Sequence, residues 1–182
     1  MTTTLLNKAC LMFLQAMVVD LPISATVVCG GVYRGGDIVA MHEIRPDLKF
    51  IAIDSFLGLA DPCEQDIAPR GAVAGECNAG GVEVFRANVE GIDVEIHQCW
   101  ISDDTLAPLD FGTVDMLWLD LDHYEPTLAM LKKFLPHCTA DAIVLTHDYG
   151  FGRCPGVKKA CDEFGKWRTY QETMATLERE SE

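Results

Sequence analysis

The chain has 182 residues, 49% of them hydrophobic and 23% charged, a mixture that suits one domain spanning 1–182 and contains no apolar run long enough to cross a bilayer. Its 28 acidic residues against 14 basic ones give a net charge of -14, a field that repels a polyphosphate backbone and argues against a nucleic-acid partner. Eight cysteines form no CxxC pair, and the amphipathic N-terminus carries no cleavage signal, so free thiols in a reducing cytoplasm are expected. Cys63 and Cys77, which bracket a Gly/Pro/Asp-rich stretch, are the pair to watch.

From Thr3 to Val19 the apolar positions Leu5, Leu6, Cys10, Phe13, Leu14 and Met17 recur at three- and four-residue steps and predict a helix. ATVVCGG then reads as a short strand ending in glycines. YRGGDIVAMHEIRP returns to helical spacing until Pro46. LKFIAIDSF, Leu48 to Phe56, is a second strand, followed from Leu57 to about Gly81 by a long mobile loop. A helix near Val82–Val89, a strand at DVEIHQCW, a helical turn near Asp103–Leu106, a strand at VDMLWLDLD, a helix from Glu125 to Leu135 and a strand at AIVLTHDYG complete the alternation. VKKACDEF reads as one more helix, and the tail from Arg168 fits strand or helix equally. Strands alternating with helices predict an α/β fold, a doubly wound and mainly parallel sheet in the order 3-2-1-4-5 with helices on both faces.

In such sheets the ligand lies at the carboxyl ends of the strands, so the residues just after each strand matter most. The first strand runs into Gly30, Gly31, Gly35 and Gly36, where missing side chains let a ligand approach backbone and a helix N-terminus. The second ends in Asp54, roughly 20 residues on, the separation at which a carboxylate meets the ribose of an adenosine ligand. GGVYRGG is not GxGxxG, which disfavours a pyrophosphate and hence a dinucleotide. The fourth strand ends in Asp120, Leu121, Asp122 and His123, and the fifth in His147 and Asp148. If those strands are neighbours, mutually repelling carboxylates crowd one rim, which calls for a divalent cation or a raised pKa on one member. The imidazole favours manganese, iron or zinc more than an all-oxygen set would.

The blocks VVCGGVYRGG, IDSFLGL, WISDDTL, LDLDHYEPT and THDYGFGRCPGVKKACDEF together resemble the macrocin O-methyltransferase family, over nearly the whole chain. The resemblance implies a Rossmann-like methyltransferase fold, S-adenosylmethionine as methyl donor, a divalent metal (magnesium or manganese), and a small-molecule hydroxyl, on a sugar or a natural-product glycoside, as acceptor. Carried over by position, Gly30, Gly31 and Tyr33 line the methionine part of the donor, Asp54 with Ser55 holds the ribose, and Ser102 and Asp103 lie near adenine. Asp120, His147 and Asp148 fall on the metal ligands, Asp120 also bordering the donor. Asp122 and His123 are the candidates for taking the acceptor's proton. The sequence departs from the pattern at Cys29, where the family has glutamate, and at His147, where it has aspartate. It is also short at both ends, with the closing antiparallel strand pair in question, so that a neighbour in a homo-oligomer is one way to complete the acceptor pocket. The competing reading is a non-catalytic S-adenosylmethionine-binding partner protein, which Cys29 favours and the charged rim opposes.

Overall fold

Parity along the strands decides which face each side chain covers, and the computed structural model, which describes residues 4–170 and 173–178, follows it closely. In β1 (Thr26–Gly30), Val27 and Cys29 join one core while Val28 joins the other; in β2 (Lys49–Asp54), Phe50 and Ala52 are set against Ile51 and Ile53 in the same way. β4 (Val114–Leu119) sends Met116 and Trp118 to the first core and Leu117 and Leu119 to the second. Val114 breaks the parity because the pairing with β5 (Cys138–Thr146) shifts register between Val114 and Met116.

With β3 (Val94–Gln98) and two short terminal strands, β6 (Trp167–Thr169) and β7 (Ala175–Leu177), these form one seven-stranded sheet in the order β3-β2-β1-β4-β5-β7-β6. The first five strands are parallel and the last two antiparallel. The closing antiparallel pair is therefore present. The ambiguous tail resolves as strand where it is described, because Met174 and Ala175 are fully buried and cover the edge that β5 would otherwise expose.

Helices α1 (Lys8–Met17), α2 (Gly36–Ile44) and α3 (Val82–Asn88) contribute Cys10, Leu14, Ile38, Met41 and Phe85 to one core. The one-turn α4 (Asp103–Leu106), with α5 (Tyr124–Phe134) and α6 (Pro155–Asp162), supplies Leu106, Met130, Leu131, Phe134, Val157 and Cys161 to the other. α1 starts later than its apolar periodicity suggests because Asn7 caps it, its side chain accepting from the Cys10 N–H at 2.9 Å. Lys132, Lys133, Lys158 and Lys159 each meet an acceptor, Asp103, the Ala107 carbonyl, Asp162 and the Gln65 carbonyl respectively, as solvated helix faces do. Among the described residues no helix is long and apolar enough to cross a membrane, and none of the eight cysteines forms a disulfide.

Arg45 ends α2 by donating to the carbonyls of Val18, Val19, Leu21 and Pro22 and to both oxygens of Asp47, clamping the chain between α1 and β1. This guanidinium, helped by the Ser24 N–H, holds the Asp47 carboxyl well below the usual carboxylate range. A depressed acid stabilises above its unfolded pKa of about 4 and loses that contribution as the pH falls through the folded value. Asp47→Asn should therefore lower stability at pH 7 and flatten the loss between pH 4 and pH 2, as followed by circular dichroism during acid unfolding.

Candidate active site

Three backbone hydrogen bonds weld the strand ends into one surface. The Gly31 N–H donates to the Ile53 carbonyl at 3.0 Å, the Asp120 N–H to the Gly30 carbonyl at 2.9 Å, and the His147 N–H to the Leu119 carbonyl at 2.8 Å. The parallel pairs thus continue one residue past β1, β4 and β5, and the side chains that follow are set by the sheet. Of seven non-glycine residues with positive φ among those described, Tyr33, Phe56, Asp122 and Asp148 sit just beyond strand ends, which is backbone strain gathered where a ligand would bind.

A cleft of about 1010 Å³, counting its solvent-open mouth, runs along this rim and is large enough for a nucleoside with an acceptor beside it. Gly31, Val32, Tyr33, Gly36 and Asp37 from the glycine turn, Asp54 and Ser55 after β2, Trp100 and Ile101 after β3, and Asp120 to His123 after β4 all line it. Gly31 has a positive φ of 75°, and a Cβ there would lie 2.0 Å from the Asp120 carbonyl oxygen, so the turn can hug β4 only with glycine. Gly30 is different: it packs under Met130, away from the cleft.

Asp54 organises the turn, one carboxylate oxygen accepting from the Val32 and Tyr33 N–H groups at 2.7 and 3.0 Å and the other from Phe56 N–H at 2.7 Å. Burial nevertheless outweighs these bonds and pushes the Asp54 carboxyl up. The Ser55 hydroxyl is spent in its own turn, donating to the Gly58 carbonyl and accepting from Leu57 N–H. Ser102 caps α4, and Asp103 makes a long ion pair of 3.4 Å with Lys132. Neither lines the cleft; Trp100 and Ile101, just before them, do.

The rim carboxylates converge as expected. His147 Nδ1 lies 3.2 Å from Asp120 and 3.1 Å from Asp148, and candidate ligand atoms of these three residues fall within 4.8 Å of one another. Asp122, Asp148 and Cys154 form a second, overlapping group, with the Cys154 thiol donating to Asp122 at 3.4 Å. Burial alone would push the His147 imidazole down, but the flanking Asp120 and Asp148 charges hold it up at about 12. Burial, then Asp120 and Asp148, raise the Asp122 carboxyl to about 7. Asp37 rises to about 7 as well, mainly through burial. His123 caps the approach to α5, buried, its ring Nε2 3.4 Å from the Ala72 carbonyl.

These shifts share one sign. An acid with a raised folded pKa stabilises below its unfolded value near 4 and loses that up to about 7; His147, raised from 6.5, stabilises below 6.5 and loses it above. The metal-free protein should therefore lose on the order of a few kcal/mol between pH 5 and pH 8. Scanning calorimetry in chelator would show this as a midpoint falling by roughly 5 to 10 °C. A midpoint independent of pH would contradict it.

The loop after β2 is folded onto the site. Asp66 is buried; one of its oxygens accepts the Tyr124 N–H at the start of α5 at 2.7 Å, and the other accepts from Cys63 N–H and thiol. Arg153 donates to Glu76 and to the Arg70 carbonyl, and Ala72 N–H donates to the Arg153 carbonyl. The expected mobile loop is a packed wall, because acceptors at both ends of it meet donors from α5 and from the turn before α6. Sequence reasoning did not single out Asp37, Asp66 or Trp100. The first at least had a signal, an acid directly after Gly35 and Gly36.

A methyltransferase-domain family model matches residues 25–149, most of the chain, and the chain belongs to that family. Demethyldecarbamoylnovobiocin O-methyltransferase from Streptomyces niveus is 28% identical over 165 residues, covering 82% of this chain, in line with the resemblance carried by the motif blocks. The chain spans 62% of the length of that curated relative. Among solved structures, the O-methyltransferase NovP superposes with a TM-score of 0.77 at 24% identity, over 97% of this chain and 81% of that one. The calicheamicin methyltransferase CalS11 gives 0.74 at 20%, over 93% and 77%. Both share the sheet described above.

Proposed function

We propose that the chain is an S-adenosylmethionine-dependent, divalent-metal-assisted O-methyltransferase acting on a hydroxyl of a small molecule, a sugar or natural-product glycoside. One observation carries the reading: Asp120 lines the glycine-turn cleft and also stands 3.2 Å from His147, so the donor cavity and the charged rim share a wall. A non-catalytic binder would have no use for that shared wall.

Methyl transfer from a sulfonium is an in-line displacement, so the chief task of the protein is to hold two reactants in register and keep water out. Gly31 to Tyr33 and Asp54 form the donor seat, with the Trp100 side of the cleft available to an adenine face. Asp120, His147 and Asp148 fit a divalent cation: they bring two carboxylates and an imidazole to within ligand range, and the positive charge that sits between the two carboxylates without a metal is that of a protonated His147. Such a cation supplies orientation and a lowered pKa for the acceptor hydroxyl. Asp122, held near neutrality, receives the proton.

The test is calorimetry with S-adenosylmethionine and S-adenosylhomocysteine, followed by transfer of labelled methyl to sugar and phenol acceptors with magnesium or manganese. Micromolar donor binding with metal-dependent transfer supports the reading; donor binding without transfer to any hydroxyl would favour the non-catalytic partner. Asp54→Ala leaves three turn N–H groups without their acceptor and should abolish nucleoside binding in the same instrument.

A further inference from the structure

Of the two carboxylates buried along the cleft, Asp66 meets three donors and Asp37 two. Asp54 accepts three backbone N–H groups, Asp120 faces His147, Asp122 faces Cys154 and Asp66 caps α5, while Asp61 and Glu125 are exposed. Asp37 is buried in the wall beside Gly31 and Gly36, in the first turn of α2. It accepts the Trp118 indole N–H at 2.7 Å and the Ile38 N–H at 2.9 Å, both neutral donors. The charge that bears on it, that of Asp120, repels. Trp118 reaches it because its register partner on β1 is Cys29, a small side chain that leaves the space beneath the turn to the indole. The fold thus buries an aromatic donor to fix an acid at the cavity wall, and no cation among the described residues meets it.

We propose that Asp37 is the anionic partner of the α-ammonium group of the methyl donor's amino-acid end. This rests on the donor reading above. A buried carboxylate whose only fixed partners are neutral keeps acceptor capacity, and an ammonium supplies both the missing charge and further N–H donors. The position agrees with a ligand laid across the glycine turn: Asp54 and Trp100 follow β2 and β3, on one side of β1 in the sheet, whereas Asp37 is bonded to Trp118 of β4, on the other side. A ligand that ends in an ammonium therefore meets charge complementarity there, and one that ends before it does not. The specificity implied is for the intact amino acid, not only for the nucleoside.

Titration calorimetry on the whole chain with S-adenosylhomocysteine, its analogue lacking the α-amino group, and methylthioadenosine tests this. For the wild type, loss of the ammonium should weaken binding about tenfold to a hundredfold. Asp37→Asn, which keeps the shape and an oxygen for Trp118, should weaken S-adenosylhomocysteine by a similar factor and leave the deaminated analogue and methylthioadenosine unchanged, the two losses not adding. Equal affinity of the wild type for the amino and deaminated ligands overturns the proposal without any variant having to fold. Equal weakening of all three ligands in Asp37→Asn overturns it too, by making Asp37 a support for the turn. Failure of the wild type to bind any of the three instead sinks the donor reading itself.

Discussion

Gly156→Ala should lower the unfolding midpoint by roughly 6 to 12 °C and detach the wall formed by the loop after β2, the penalty being about 3 kcal/mol of overpacking and a lost cap. The reason lies at the crossing of α6 on the start of α5. A Cβ on Gly156 would sit 1.9 Å from an Asp66 carboxylate oxygen and 2.8 Å from both the Cβ and the N of Tyr124. Tyr124 is helix backbone and does not yield. Asp66 is fixed by Tyr124 N–H on one oxygen and by Cys63 on the other, so moving it uncaps α5. Thermal unfolding and limited proteolysis within residues 57–81 read the two consequences. Adding Asp66→Ala to Gly156→Ala should return part of the lost stability, since the worst contact disappears with the carboxylate; a strictly additive double variant would show that the two sites are independent.

Asp122→Asn should cut methyl transfer by about a hundredfold to ten-thousandfold while donor affinity stays within a few-fold of the wild type. Asp122 has φ 61°, a left-handed conformation that asparagine tolerates, so the substitution removes the proposed base and spares the backbone. Burial and the Asp120 and Asp148 charges raise its carboxyl to about 7. Turnover in the wild type should accordingly rise with pH along a limb where Asp122 loses its proton and level off above it, a cation on Asp120 and Asp148 drawing that limb below 7, and the limb should vanish in the variant. His123 is the other candidate, but its ring is buried against the Ala72 carbonyl. His123→Gln should therefore reduce activity by less than Asp122→Asn does. Initial rates against pH for both variants decide between them, and an unaltered rate in Asp122→Asn would remove it from the chemistry.

The sheet order was legible because β-branched runs such as ATVV and FIAI announce buried parallel strands, and crossover rules leave few ways to arrange them. The glycine turn, Asp54 and the Asp120, His147 and Asp148 rim were legible for a related reason: strand ends are fixed by the sheet, so identity at the end of a strand is position in space. Loops carry no such rule. Asp66 looked like one more acid in a Gly- and Pro-rich stretch, and only the fold brings it to the first turn of α5, 58 residues along the chain. Ser102 and Asp103 entered by position from the family resemblance; Trp100, two residues earlier in the same block, lines the cleft, whereas Ser102 is spent on capping. The closing strands were obscure because three-residue strands have too few positions to show a period.

The placement of His147 between Asp120 and Asp148 also fixes what a metal at this rim would have to displace. Nδ1 stands 3.2 and 3.1 Å from the two carboxylates, whose charges hold the imidazole protonated, and a cation taken up through that nitrogen would release its proton. Uptake would then be an exchange, one ion in and about one proton out, so that the rim would compete for hydrogen ions as well as for metal. Apparent affinity would climb with alkalinity, acid solution would leave the rim to the proton, and the heat of uptake would vary with the ionisation enthalpy of whatever buffer collects what is released.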